Sequence, residues 1–363
     1  MSKIRLMIVD DSLFFREFLS RSLASNSAIE IVGIATDAID AMQKIGDINP
    51  QVIALDMEMP KMRGTEFIQS VRPKYPNVRI VVISSNPNNA FDAMHVGATD
   101  FAPKPNPQMG IDNTAFLREL VNKIKIAANS NVIKKPTAQM AMPSSKANAP
   151  KQVNPLVAAM ADLPMPTNLN ARNPRSVIAI GASTGGTEAI LSVVKDLPAN
   201  TPGIVIVQHM PPVFTKMYAD RVDKNSKMSC KEAQDGDRVE SGRILIAAGD
   251  KHMRLKSDAQ GYYVECKLED KVSGHCPSVD VLFESVAKTA GSNAIGVILT
   301  GMGADGARSL VQMKREGAYT IGQDAESCVV YGMPMVAYNI GGVTDQLPLS
   351  KIPHAIVRRL SSR

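Results

Sequence analysis

Short apolar runs alternating with stretches of helical periodicity constrain this chain more than any other feature. Ile4–Val9, Ile29–Ala35, Val52–Leu55, Ile80–Ile83 and Asp100–Ala102 read as strands. Helices over Leu13–Leu23, Ala38–Ile45, Gly64–Val71, Asn88–Val96 and Thr114–Ala127 fall between and after them. A strand with one wet face alternates apolar and polar residues. Most of these runs are apolar throughout, so both faces of the sheet must be covered, as in a parallel sheet flanked by helices. Five strands and five helices within residues 1–128 predict a doubly wound α/β domain. The pattern resumes later, with strands at Val177–Ile180, Ile204–Val207, Ile244–Ala247, Ile295–Thr300 and Ala318–Ile321. Helices are expected over Thr187–Asp196, Val213–Asn225, Val279–Thr289, Gly306–Glu316 and Met333–Asn339, and Met253–Leu255 pairs with Tyr262–Cys266 as a hairpin across Gly261. Residues 173–363 therefore form a second parallel-sheet α/β domain.

Between the two lies a different kind of sequence. Residues 129–172 hold six Pro and six Asn, with no Gly and no aromatic residue. Proline at that spacing blocks long helices and ladders, and the polar remainder cannot bury enough to offset its ordering entropy. It reads as a Pro/Asn-rich linker, with Val153–Ala161 as a short helix or docking segment within it. The linker also accounts for most of the net charge of +6. Residues 1–128 carry 14 basic and 14 acidic groups, and the linker carries 5 and 1. The excess sits mainly off the domain faces, which argues against nucleic acid as a partner. The apolar start Leu6–Val9 is too short for a secretory signal, and no run is long enough to span a membrane. A cytoplasmic location follows, with Cys230, Cys266, Cys276 and Cys328 as reduced thiols.

In parallel α/β sheets, ligand groups gather where strands end. Asp10 and Asp11 follow the first strand, Asp56 the third, Ser84 the fourth and Lys104 the fifth. On their own Asp10 and Asp11 read equally well as helix caps. All five residues at successive strand ends outweigh that reading. Three converging carboxylates call for a hard cation such as Mg²⁺, and a carboxylate is a competent nucleophile toward a phosphoryl group. Lys104 and the Ser84 hydroxyl would then offset charge on the phosphoryl oxygens.

The segments IVDDS, LDMEMPKMRG, VVISS and DFAPKP resemble the receiver domain of bacterial two-component response regulators, over nearly all of residues 1–128. The resemblance implies a flavodoxin-like fold with Asp56 as phosphoacceptor and Asp10, Asp11 and Asp56 around Mg²⁺. It also implies Ser84 as the switch hydroxyl, Phe101 as the aromatic switch and Lys104 as the phosphate-contacting lysine.

In the second domain GASTG, residues 181–185, fits G-x-S-x-G between a strand and a helix. Such a turn exposes a serine hydroxyl, here Ser183, beside amides able to hold an oxyanion. Gly-rich strand-to-helix turns also bind dinucleotide phosphates, although the G-x-G-x-x-G spacing is missing. Among five histidines, His209 ends an apolar strand at the same sheet edge and is the first choice of base. His252 is the second, and His275 lies in a loop that could border the site. His95 and His354 read as helix-surface or core residues. The acid is sought in TGMGADG, residues 300–306, where Asp305 either orients the histidine or caps the helix Gly306–Glu316.

IGASTGGTEA, VQHMPPVFT, SVDVLFESVA and LTGMGADGA resemble the catalytic domain of the chemotaxis protein-glutamate methylesterases, from about Arg175 to Ala337. The resemblance implies a Rossmann-like hydrolase with a Ser183, His209, Asp305 triad and with Thr184, His275 and the Met302 amide nearby. It implies glutamate γ-methyl esters on methyl-accepting chemoreceptors as substrate, with deamidation of glutamines, and a chemotaxis histidine kinase as phosphodonor. No cofactor is expected for hydrolysis itself. A binding protein that has lost catalysis and a DNA-binding response regulator are the competing classes, and the second would need a basic recognition helix that the near-neutral second domain does not offer.

Overall fold

The computed structural model describes residues 2–106, 112–130, 165–169, 173 and 175–362. Most of the proline-rich segment, including Val153–Ala161, lies outside the described residues.

The first sheet comprises β1 (Ile4–Val9), β2 (Ile29–Ala35), β3 (Val52–Asp56), β4 (Arg79–Ser84) and β5 (Asp100–Pro103). They lie in the order β2-β1-β3-β4-β5, all parallel. That order places the topological switch between β1 and β3, so the residues after those two strands share one crevice. Around the sheet run α1 (Leu13–Ala24), α2 (Ala38–Ile48), α3 (Gly64–Lys74), α4 (Pro87–Val96) and α5 (Asn113–Ala128). β3 is buried along its whole length, as the apolar run Val52–Leu55 requires, with Asp56 buried at its end.

The second sheet has seven parallel strands. They are β6 (Val177–Ala182), β7 (Ile204–Gln208), β8 (Ser229–Glu232), β9 (Arg243–Ile246), β12 (Ala294–Ile298), β13 (Tyr319–Gln323) and β14 (Asp345–Leu347), while β10 (His252–Asp258) and β11 (Gly261–Lys267) form the antiparallel hairpin. The order β14-β13-β12-β6-β7-β9-β8 sets β6 at the centre, flanked by β12 and β7. The helices are α6 (Gly186–Val194), α7 (Phe214–Asn225), α8 (Val279–Ala290), α9 (Ala307–Arg315), α10 (Met333–Asn339) and α11 (Ile352–Ser362). β8, β14 and α11 have no counterpart in the sequence reading. The two strands are the sheet's edges, and β8 (SCKE) buries only Cys230, so neither carries the apolar run that marks an interior strand. Among the described residues no helix is long and apolar enough to cross a membrane.

The two halves share one apolar cluster. Phe101 on β5 stacks on Phe214 of α7, with ring centroids 5.2 Å apart and planes 12° from parallel. Phe91 of α4 packs edge-on against Phe214 and lies 5.6 Å from the Tyr218 ring. Polar pairs rim this contact: Arg221 donates to Asp92 at 3.1 Å and to Glu188 at 3.4 Å, and His95 lies 3.3 Å from Glu188.

Candidate active site

At the β1/β3 crevice, Asp10 and Asp56 are buried and Asp11 is exposed. Carboxylate oxygens of the three lie within 4.8 Å of one another. Lys104 Nζ sits 2.9 Å from Asp56 and 3.7 Å from Asp10. Burial, then the Asp56 charge, pushes the Asp10 carboxyl up to about 6. Its Oδ2 is buried without a hydrogen-bond partner. Neither aspartate caps α1, because Ser12 does so through Phe15 N–H, and Asp10 accepts from Ser12 N–H instead. An orphaned buried carboxylate oxygen among three acids fits a hard divalent cation. The Ser84 hydroxyl donates to Asn86 C=O and accepts from Asn86 N–H, one strand away.

The second site straddles three adjacent strands. Ser183 follows β6, His209 follows β7, and Asp305 lies in the loop after β12. Ser183 Oγ is 3.2 Å from His209 Nδ1, and His209 Nε2 is 2.7 Å from Asp305 Oδ2. Gly301 leaves room for the serine turn: a Cβ there would meet Met333 Sδ at 2.4 Å and Ser183 Cβ at 2.7 Å. Ser183 N–H donates to Thr300 C=O at 3.0 Å, so it cannot also serve an oxyanion. The next amide, Thr184, and that of Met302 are left as the candidates.

Of the two roles the sequence leaves open for Asp305, the carboxylate takes the one facing His209 and does not cap the helix that follows it. Gly306 stands at the start of α9 without a side-chain cap, and Asp305 turns to the start of α8. Its Oδ1 accepts from Ser278 Oγ at 2.7 Å and Asp280 N–H at 2.9 Å, and its Oδ2 from Val279 N–H at 2.7 Å. Burial alone would raise this carboxyl. The His209 contact and the α8 donors outweigh burial and hold it well below the usual carboxylate range. It therefore stays an anion facing the imidazole.

His252 is fully buried and holds the loop that carries Ser278. Its Nδ1 accepts from Ser278 N–H at 3.2 Å and its Nε2 donates to Asp270 C=O at 2.9 Å. Both ring nitrogens are thus engaged away from the serine. His275 stacks on His209 at 3.6 Å between centroids, 10° from parallel. Burial, then the His209 charge, brings His275 down to about 4. In the unfolded chain it takes a proton below about 6.5. Between those values the unfolded state binds more protons, so stability rises with pH, by at most about tenfold in the folding equilibrium per pH unit. The urea midpoint of the whole protein should therefore fall relative to that of His275→Phe as pH drops from 6.5 to 4. Parallel midpoints across that range would refute the depression.

Sequence reasoning missed Asp100. Its Oδ2 accepts from the Thr184 hydroxyl at 2.7 Å, and its Oδ1 from Lys123 at 2.9 Å. Together with Met94 and Phe101 it closes a cavity of about 20 Å³ whose other wall includes Ser183, Thr184 and His209. That is room for about one water, not for a substrate side chain.

Chemically, an imidazole between a hydroxyl and a buried carboxylate can draw the hydroxyl proton and return it to a leaving group. Comparison with known proteins agrees with that capacity. The profile of the CheB methylesterase family matches residues 178–356, and that of the response regulator receiver domain matches residues 6–115. A protein-glutamate methylesterase/protein-glutamine glutaminase of Syntrophomonas wolfei is 46% identical over 359 residues, covering 99% of this chain and 98% of its own. Another from Syntrophotalea carbinolica is 42% identical, covering 99% of both chains. The crystal structure of the Thermotoga maritima CheB methylesterase catalytic domain is 39% identical, with a TM-score of 0.50, covering 51% of this chain and 98% of that one. The chain thus belongs to the CheB methylesterase family, and is a hydrolase with a response regulator receiver domain before its catalytic domain.

Proposed function

We propose that this protein hydrolyses glutamate γ-methyl esters on chemoreceptors, and deamidates glutamines there, under control of phosphorylation at Asp56. The family supports the ester and amide chemistry, since relatives alike over nearly the whole chain carry both activities in their names. Ser183 Oγ attacks the γ-carbonyl while His209 Nδ1 takes its proton. Asp305 keeps the imidazole in the tautomer with its proton on Nε2, and the Thr184 and Met302 amides receive the oxyanion. Collapse breaks the C–O or C–N bond, and His209 returns the proton to the departing methanol or ammonia. Water then attacks the acyl-serine with His209 again as base, leaving the free carboxylate.

In the receiver, Asp10, Asp11 and Asp56 would hold Mg²⁺, which supplies charge neutralisation for the incoming phosphoryl group when bound. Lys104 and Ser84 approach the same phosphoryl oxygens, and a chemotaxis histidine kinase donates the group. The protein works in the cytoplasm, where its substrate helices and this kinase are found.

The observation that carries the regulatory reading is the 2.7 Å bond from Thr184 to Asp100 of the receiver, beside Ser183. A receiver seated there blocks any glutamyl side chain. Phosphorylation at Asp56 would shift Phe101, on the strand that also bears Asp100, and loosen the stack on Phe214. Methanol release from methylated receptor membranes tests this. Beryllofluoride with Mg²⁺ should raise the rate several-fold in the whole protein and leave Asp56→Asn unchanged, whereas Asp100→Ala should be faster than the whole protein without it. An Asp100→Ala variant no faster than the untreated protein would remove the occlusion.

A further inference from the structure

Gln208, the last residue of β7, is 3% exposed and touches both halves of the catalytic pair through their backbones. Its Nε2 donates to Ser183 C=O at 2.9 Å and to His209 C=O at 3.2 Å. Ser183 C=O also accepts from Gly186 N–H at 2.7 Å. Two donors on one carbonyl fix the plane of the peptide to which it belongs. That peptide is the Ser183–Thr184 link, and in a trans peptide the N–H points opposite to the C=O. Pinning the Ser183 carbonyl therefore aims the Thr184 N–H, the one amide next to the nucleophile that is free to face an oxyanion.

The fold makes room for this contact at a cost. A Cβ on Gly186 would lie 2.0 Å from Gln208 Oε1 and 2.7 Å from Ala182 Cβ, so glycine at 186 makes room for the amide and for β6 together. Oε1 itself is buried with no hydrogen-bond partner. A buried acceptor left unpaired is destabilising, and an apolar side chain of equal length would avoid it. A residue serving packing alone has no reason to be an amide here.

We infer that Gln208 is a positioning residue for the hydrolysis: its carboxamide ties the Ser183 and His209 backbones together and orients the Thr184 N–H toward the developing oxyanion. This rests on the serine hydrolase reading and goes beyond it by assigning a residue that never touches substrate.

Gln208→Met keeps the length and removes the donor. Gly186→Ala keeps the amide and displaces it. In the whole protein activated with beryllofluoride and Mg²⁺, the state used for every rate and boronate measurement here, each should lower kcat for methanol release about 10–100-fold, less than or equal to the loss of an oxyanion donor, with KM within about twofold. Because both disturb the Ser183 carbonyl, the double variant should be slower than either alone by clearly less than the product of the two losses. Affinity for an alkylboronic acid, whose serine adduct is tetrahedral, should fall by a similar factor. The melting temperature of Gln208→Met should hold within a few degrees. Boronate titration reads Ser183 and its oxyanion donors without receptor substrate, so a failure of the methyl-ester reading leaves it intact. Gln208→Met with kcat and boronate affinity within twofold of the parent would overturn the assignment. So would losses that merely track a fall in melting temperature.

Discussion

Ser183→Ala should lower methanol release by roughly 10⁴–10⁶ and leave the fold unchanged. The substitution removes one oxygen from a half-buried side chain. The backbone bonds that shape the turn survive: Ser183 N–H to Thr300 C=O at 3.0 Å, and Gly186 N–H to Ser183 C=O at 2.7 Å. What disappears is the atom His209 Nδ1 faces at 3.2 Å. Without it the imidazole has no nucleophile to activate, and the remaining amides can only stabilise attack by water. Thermal melts and far-UV circular dichroism should coincide with those of the parent. A variant retaining more than about a hundredth of the parent rate would exclude Ser183 as nucleophile. Full chemotactic output from a protein with no hydrolysis at all would instead favour the binding-module reading.

The residues of this site were legible because parallel-sheet topology collects them. Ser183, His209 and the Asp305 loop each follow an apolar run, and three such runs become the adjacent strands β6, β7 and β12. Asp10, Asp11, Asp56 and Lys104 were found in the same way. What the pattern could not disclose is who receives each polar group. Asp305 sits one residue before Gly306, so local reasoning could not separate the orienting acid from a cap of the helix that follows. Its partners lie 25 to 27 positions earlier in the chain, at the start of α8. Asp100 carried no signal, because its partner Thr184 belongs to the other domain, 84 residues away. His252 was weighed as a base on its place near a strand end, where geometry makes it a prop for Ser278. Edge strands β8 and β14 escaped because a strand with a wet margin need not be apolar.

Asp305→Asn should lower the rate by about 10³–10⁴, for a reason specific to this carboxylate. It accepts from two directions at once, His209 Nε2 and Val279 N–H on one oxygen, Ser278 Oγ and Asp280 N–H on the other. An amide can present its oxygen to only one of those directions. If the NH₂ turns toward His209, it opposes Val279 N–H and makes Nε2 an acceptor. The ring proton then moves to Nδ1, the nitrogen that faces Ser183, and the base is lost. If the NH₂ turns the other way, Ser278 can rotate to accept, but Asp280 N–H confronts another donor. His209 keeps its tautomer there, yet no anion remains to stabilise the imidazolium. Either orientation leaves a buried donor unpaired, worth about 1–3 kcal/mol of stability, so the melting temperature should fall as well. Asp305→Ala also empties the start of α8, and should be at least as unstable as the asparagine variant. The two effects separate by rate at a temperature well below both transitions, where the protein is fully folded and only the tautomer and charge matter. An asparagine variant with more than about a tenth of the parent rate under those conditions would show that His209 needs no anion beside it.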